Sequence, residues 1–211
     1  MLGVLVVIIA AVLLGRTLVV STAAGSPSLA PRRMSPQLIT AVSYADRLFA
    51  EKRWLAAEKA YVNVLKLDHK NLTAYSHLGI IYSTQKNLAD AIECFQIAVR
   101  LKPTASTHQN LATAYYENHN YIKAISAFEK AIMFEASASR YIGLSKAYKK
   151  VSNLEGVVTS LEQAHALDAS PKIKDLLVAA YLEAGHPQRA HDLAAETAPQ
   201  QLPSDITTQQ S

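Results

Sequence analysis

The chain has 211 residues, a formal net charge of +4, and 50% apolar and 18% charged residues. This mildly basic balance, without any run of five like charges, does not indicate nucleic acid as a partner. The single cysteine, Cys94, excludes an internal disulfide framework and a metal site built from several cysteines. The fold must therefore be stabilised by packing.

Residues 2–20 are a continuous apolar stretch that contains one charged residue, Arg16. As a helix this stretch would span roughly 28 Å, close to the ~30 Å of a bilayer's hydrocarbon core. Arg16 lies near one end, where its side chain can reach the headgroups. We therefore expect a transmembrane anchor over residues 1–20. A cleaved signal peptide is the alternative, because the small residues Ser21 and Ala23 follow the apolar stretch.

The distribution of basic residues predicts the orientation of this anchor. None precedes the apolar stretch, whereas several lie within or after it: Arg16, Arg32, Arg33, Arg47, Lys52 and Arg53. The side richer in Lys and Arg tends to stay in the cytoplasm, so we expect a cytoplasmic domain; cleavage would instead give a secreted or extracytoplasmic one. Residues 21–37, rich in Ser, Ala and Pro, are predicted to be a flexible linker.

A motif recurs through residues 38–198 at a nearly constant interval. One position of the motif follows an apolar residue and is small in most copies. It is found at Ala45, Gly79, Ala112, Ser145 and Val178, so successive copies are 34, 33, 33 and 33 residues apart. A period of this length predicts a stacked array of helical hairpins. The predicted repeats are 38–71, 72–104, 105–137, 138–170 and 171–198, and residues 199–211 are predicted to be a disordered tail.

Each predicted repeat holds two helical segments joined by a short turn. Asn or Gly occurs in four of the five turns and suits a break between helices: Lys86-Asn87, His119-Asn120, Ser152-Asn153 and Gly185-His186. In the second segments, a small residue precedes an aromatic one by four positions, as in Ala91 and Phe95. Positions four apart share one helix face. The small residue therefore lets a second helix approach closely, and the aromatic side chain beside it packs between the two helices.

The residues of the second and third repeats resemble the tetratricopeptide repeat family. The matching residues are Leu78, Gly79, Tyr82, Ala91, Phe95, Ala98 and Pro103, and then Leu111, Ala112, Tyr115, Ala124, Phe128 and Ala131. The resemblance implies an all-α superhelix (α-solenoid) of about five helix-turn-helix repeats, with neither catalysis nor a cofactor. The fourth repeat departs at Gly156-Val157, and glycine in a helix costs roughly 1 kcal/mol relative to alanine, so we expect a weaker helix there.

The resemblance also implies a concave groove, lined by the first helices, for a peptide or a partner helix. The residues carried over to this groove are Phe49, Ser76, Ile80, Gln109, Thr113, Tyr116, Lys146, Lys149, Lys150 and Lys172. The lysines would meet an acidic segment, while Phe49 and Tyr116 would take apolar side chains. The alternative is that the lysines only keep one helix soluble.

The sequence thus predicts a membrane-anchored scaffold that binds a protein or peptide ligand in its groove. The alternative is an extracytoplasmic assembly subunit that self-associates through its last repeat, which ends in Ala190, Ala194 and Ala195 without an obvious polar cap. Cys94 and Ser145 are expected to be packing residues, because each lacks the neighbouring groups of a nucleophile. We therefore expect no enzymatic activity.

Overall fold

A computed structural model describes residues 35–195, which form ten helices and no strand. In chain order they are α1 (Pro36–Ala50), α2 (Trp54–Leu67), α3 (Leu72–Thr84), α4 (Leu88–Leu101), α5 (Ala105–Glu117), α6 (Tyr121–Phe134), α7 (Ala138–Lys150), α8 (Leu154–Leu167), α9 (Pro171–Glu183) and α10 (Pro187–Ala195). The predicted anchor (1–20), most of the predicted linker and the predicted tail (199–211) lie outside the described residues. Among residues 35–195, no helix has the length and apolarity that a membrane span needs.

The first helix begins inside the segment that the sequence analysis treats as linker. Ser35 accepts a hydrogen bond from the backbone N–H of Leu38, at 3.2 Å, and Pro36 is the first helical residue. A side-chain cap followed by proline is a typical helix start, because proline has no N–H to leave unsatisfied. Pro36 and Gln37 therefore belong to α1.

Each helix packs against its neighbours in the chain, so successive hairpins stack into a solenoid. The core alternates small and large side chains, as the repeat motif predicts. Ala57, Ala91 and Ala124 are fully buried, and the aromatic rings of Tyr61 and Phe95 are at most 3% exposed. The predicted all-α solenoid architecture is confirmed for this part of the chain.

The turn inside each repeat depends on one residue with a left-handed backbone. Lys52, Lys86, His119 and Ser152 have φ of 57° to 63°, and Gly185 has φ of 80°. In repeats two, three and four this residue precedes the Asn that the sequence predicts at the break, and in repeat five it is the predicted Gly185 itself. Asn153 instead caps α8, because its side chain accepts a hydrogen bond from the N–H of Gly156 at 2.9 Å.

Gly156 has a packing role that helix propensity alone does not predict. The helix that contains it, α8, has 14 residues, as do α4 and α6. A Cβ on Gly156 would lie 2.7 Å from Cγ of Tyr148. The Tyr148 hydroxyl donates to Glu129 Oε1 at 2.8 Å, which holds the ring in place. The glycine therefore makes room for an aromatic ring between two helices.

The last described hairpin is tied together by a buried lysine. Lys174 is 7% exposed and donates to the carbonyl oxygen of Ala194 at 3.2 Å. Ala190 is buried, and exposed positions of α10 include the polar residues Gln188, Arg189, His191 and Asp192. Ala194 and Ala195 are exposed, so this end of the described stack presents both small apolar and polar side chains.

We expect Ser152→Gly to stabilise the protein and Gly185→Ala to destabilise it. A residue other than glycine in the left-handed conformation costs about 1–2 kcal/mol, and Ser152→Gly removes this cost. The greater loss of backbone entropy when glycine folds costs only about 0.5–1 kcal/mol, so the net effect should be stabilising. Apart from residue 185 and its two chain neighbours, nothing lies within 4 Å of a Cβ at residue 185, so Gly185→Ala reports backbone strain alone. The measurement is the urea midpoint at constant m-value. Equal midpoints for both variants and the wild type would contradict the assigned turn geometry.

We expect Gly156→Ala to lower stability by roughly 1–3 kcal/mol, although alanine is the better helix former. The physical reason is overlap of the new Cβ with the Tyr148 ring. In the Tyr148→Ala background the same substitution should cost less or become stabilising, and a double-mutant cycle measures the difference. Additive effects would show that the ring is not the obstacle.

Candidate functional site

The predicted groove residues all lie on the first helices of the repeats, α1, α3, α5, α7 and α9, and we call the surface that they form the groove face. Lys146, Lys149, Lys150 and Lys172 are exposed, as is Thr113. Phe49, Ser76, Ile80, Gln109 and Tyr116 are half-buried. The groove face therefore has its exposed lysines on the fourth and fifth repeats.

The chemistry of this face changes at the junctions between consecutive repeats. The sixth residue of each repeat lies at the junction with the repeat before it, and these residues are His77, Asn110, Gly143 and Leu176, each 33 positions apart. Equivalent positions of a solenoid occupy equivalent places, so four different side chains make four different local environments. None of these four residues is among the predicted groove residues, although the repeat period relates their positions to one another.

The junction of repeats one and two is filled by a hydrogen-bonded cluster. The His77 ring stacks on Phe49 with ring centres 4.3 Å apart. The Tyr61 hydroxyl is 2.7 Å from Asp46 Oδ1 and 2.6 Å from His77 Nδ1. Because the hydroxyl has one proton and donates it to Asp46, His77 Nδ1 must be the donor in the second bond.

Burial controls the protonation of this cluster. It lowers the pKa of His77 below its ordinary value, and the Asp46 carboxylate only partly opposes this. Burial and the hydrogen bond to Asp46 together raise the pKa of Tyr61 far above the ordinary value. The cluster is therefore a neutral His–Tyr pair beside one carboxylate at neutral pH, and Phe49 already has a stacking partner.

The junction of repeats two and three is open and polar. It encloses a cavity of about 310 Å³ that is lined by Ile80, Ser83, Thr84, Lys86, Phe95, Asn110, Thr113, Ala114 and Glu117. The hydroxyls of Thr84 and Thr113 donate to backbone carbonyls four residues earlier, at 2.9 and 3.0 Å, so their oxygens are left to accept hydrogen bonds from a ligand. The amide of Asn110 makes no side-chain hydrogen bond within the described part of the chain. Asn110 can therefore both donate to and accept from the backbone of a bound peptide.

The junction of repeats three and four is closed by an aromatic ring. Phe128 packs so closely on the backbone of Gly143 that a Cβ there would lie 2.5 Å from the ring. Tyr116 contacts Tyr121 edge to face, with ring centres 5.5 Å apart. This junction has no room for a ligand side chain beneath the ring of Phe128.

The junction of repeats four and five is open and apolar. Leu161 occupies the position that an aromatic residue has in the first three repeats, and Leu176 occupies the position of Asn110. The resulting cavity of about 110 Å³ has Lys146, Lys149 and Glu183 among its lining residues. Lys149 Nζ and Glu183 Oε1 are 2.7 Å apart and join α7 to α9.

Gln109, a predicted groove residue, is engaged in a structural contact. Its Oε1 accepts a hydrogen bond from Nε of Arg140 at 3.0 Å. Arg140 is 8% exposed and also bonds the backbone carbonyl and the carboxylate of Glu135, at 2.7 and 3.2 Å. A buried guanidinium needs such partners, so Gln109 contributes to the packing of repeats three and four.

Cys94 and Ser145 are packing residues, as the sequence analysis expects. Cys94 is buried, and burial, with nearby Glu93 and Asp90, raises the pKa of its thiol to about 11. The thiol is therefore protonated and a poor nucleophile at neutral pH. Ser145 is 4% exposed and donates to the carbonyl of Ile142 at 2.9 Å, so its hydroxyl proton is already used.

Comparison with known proteins agrees with this architecture. Residues 72–104 and 105–137 match the family model described as tetratricopeptide repeat. A segment of 83 residues is 34% identical to the probable UDP-N-acetylglucosamine–peptide N-acetylglucosaminyltransferase SPINDLY of Arabidopsis thaliana. That match spans 39% of this chain but only 9% of the relative.

Solved structures share the fold at low sequence identity. A crystal structure of MamA has a TM-score of 0.70 and 22% identity, covering 77% of this chain and 91% of that chain. MamA from Desulfovibrio magneticus RS-1 has a TM-score of 0.69 and 16% identity, covering 77% and 94%. YrrB, described as a TPR protein with an unusual peptide-binding site, has a TM-score of 0.65 and 15% identity, covering 75% and 84%. The two central repeats, residues 72–137, therefore match the tetratricopeptide repeat model, and the described helices share the fold of these solved structures.

Proposed function

We propose that this protein is a scaffold that binds a segment of a partner protein along its groove face. The observation that carries this proposal is the open polar junction of repeats two and three. A cavity with an unpaired amide at Asn110 and acceptor hydroxyls at Thr84 and Thr113 has the groups that the backbone of an extended peptide needs.

The similarity to YrrB supports the same reading, because that protein's description includes a peptide-binding site. The match to SPINDLY covers too little of that enzyme to transfer its activity to this chain. Nor do the buried Cys94 and Ser145 offer a nucleophile. Binding, rather than catalysis, is thus the function that the described residues support best.

We expect Asn110→Leu to weaken partner binding without unfolding the protein. The substitution copies Leu176, the residue at the same position of the fifth repeat, so the fold should accept it. Loss of hydrogen bonds to a peptide backbone should weaken binding roughly tenfold. The measurement is affinity capture of partners by the full chain, quantified by mass spectrometry.

The matched control is Asn63→Leu on α2, an exposed position outside the groove face. A groove ligand is identified as a protein that the Asn110 variant loses and the Asn63 variant retains. If every specific partner is captured equally by both variants, the partners bind elsewhere and the groove assignment is wrong.

The sequence supports a second element of this proposal, that residues 1–20 attach the scaffold to a membrane with its repeats on the cytoplasmic side. The supporting observations are the apolar stretch and the basic residues that follow it. We expect a C-terminal reporter that is active only in the cytoplasm to give a signal, and N-terminal sequencing to find the apolar stretch uncleaved. A reporter that is active only outside the cytoplasm, or a cleaved terminus, would contradict this part.

A further inference from the structure

We infer that the junction of repeats four and five is a specificity pocket, which takes one branched aliphatic side chain of the partner beside an acidic residue. This inference rests on the proposed function, because it assigns the chemistry of the ligand that the groove face binds. The sequence instead predicts that Phe49 and Tyr116 contact the apolar side chains of the ligand.

The pocket results from differences between one repeat and the others. In the first three repeats an aromatic side chain occupies this position: Tyr61, Phe95 and Phe128. The fourth repeat has the smaller Leu161 at that position, and the fifth repeat contributes Ala179 where the third has Thr113. Two reductions in size at one junction leave space that packing would otherwise fill.

The lining of this space is apolar. Ile142, Val157, Leu161, Leu176, Ala179 and Ala180 form its walls. The one hydroxyl among its lining residues, that of Ser145, already donates its proton to Ile142. A cavity of about 110 Å³ with such walls favours a branched aliphatic side chain over a polar one, because burying an unpaired polar group is costly.

The charged residues at the rim of the pocket favour an acidic residue next to the aliphatic residue of the partner. Lys146 lines the pocket, is exposed, and forms no ion pair within residues 35–195. Lys149 is paired with Glu183, and both side chains are about half exposed, at 59% and 45%. A carboxylate of the partner can therefore bind Lys146 directly and compete with Glu183 for Lys149.

This arrangement makes Glu183 an internal competitor of the ligand. While it holds Lys149, part of the positive charge of the rim is neutralised. Removing that charge should strengthen the binding of an acidic ligand, whereas removing Lys146 should weaken it. Opposite effects of two neighbouring substitutions are not expected if the lysines only maintain solubility.

The test is a selection from a phage-displayed library of random heptapeptides against the full-length protein. We expect the enriched peptides to carry Leu, Ile or Val within two residues of Asp or Glu. A synthetic peptide of the enriched sequence is then titrated against variants. Ala179→Ile, which copies Ile80 of the second repeat at an exposed position, should weaken binding at least about tenfold by filling the pocket.

Three further variants complete the design. Ala89→Ile, the same change at an exposed site on α4, should leave the affinity unchanged. Lys146→Glu should abolish the preference for acidic peptides. Glu183→Gln should strengthen binding by about twofold to fivefold, the effect of one exposed ion pair, and the gain should shrink with added salt.

The outcomes separate this inference from the proposed function. If peptides are enriched but bind Ala179→Ile and a second filling variant, Leu161→Phe, as well as the wild type, the pocket assignment is wrong and the groove function stands. If the peptides lack acidic residues and Lys146→Glu binds them equally, the acidic specificity is wrong. If no peptide is enriched, peptide binding itself is rejected.

Discussion

The structure depends on the contact between the second helix of one repeat and the first helix of the next. In a solenoid each repeat touches only its neighbours, so every junction must bury its own apolar surface. Buried alanines such as Ala91 and Ala124 allow the helices to approach, and an aromatic ring such as Tyr61 or Phe128 fills the space between them. Because the junctions are nearly independent, one can change its chemistry without disturbing the rest.

That independence explains the groove face. His77 fills the first junction by stacking on Phe49, and Phe128 closes the third by packing on Gly143. The second and fourth junctions stay open, one polar through Asn110 and the other apolar through Leu176. Two open sites on either side of a closed one would require a ligand to present two separated groups, which favours an extended segment over a single side chain.

Some charged residues of the groove face form ion pairs that the sequence does not reveal. Of the predicted groove lysines, Lys149 is neutralised by Glu183, and the equivalent Glu117 on the third repeat approaches Lys86 at 3.6 Å. Exposed ion pairs of this kind contribute little to stability but change what a ligand encounters. The net attraction for an acidic ligand therefore depends on the groove lysines that form no ion pair within residues 35–195, which are Lys146, Lys150 and Lys172.

The sequence by itself determined the architecture, because a sustained period of 33 or 34 residues with fixed small and aromatic positions permits few other ways to bury its apolar faces. It also placed the predicted lysines on the first helices. Only the tertiary structure decided which of these side chains are free, since Gln109 is held by Arg140 and Lys149 by Glu183 across distances of 31 and 34 residues. It also decided which junctions are open, because a cavity depends on the combined sizes of residues from two repeats, whereas a motif describes one repeat at a time.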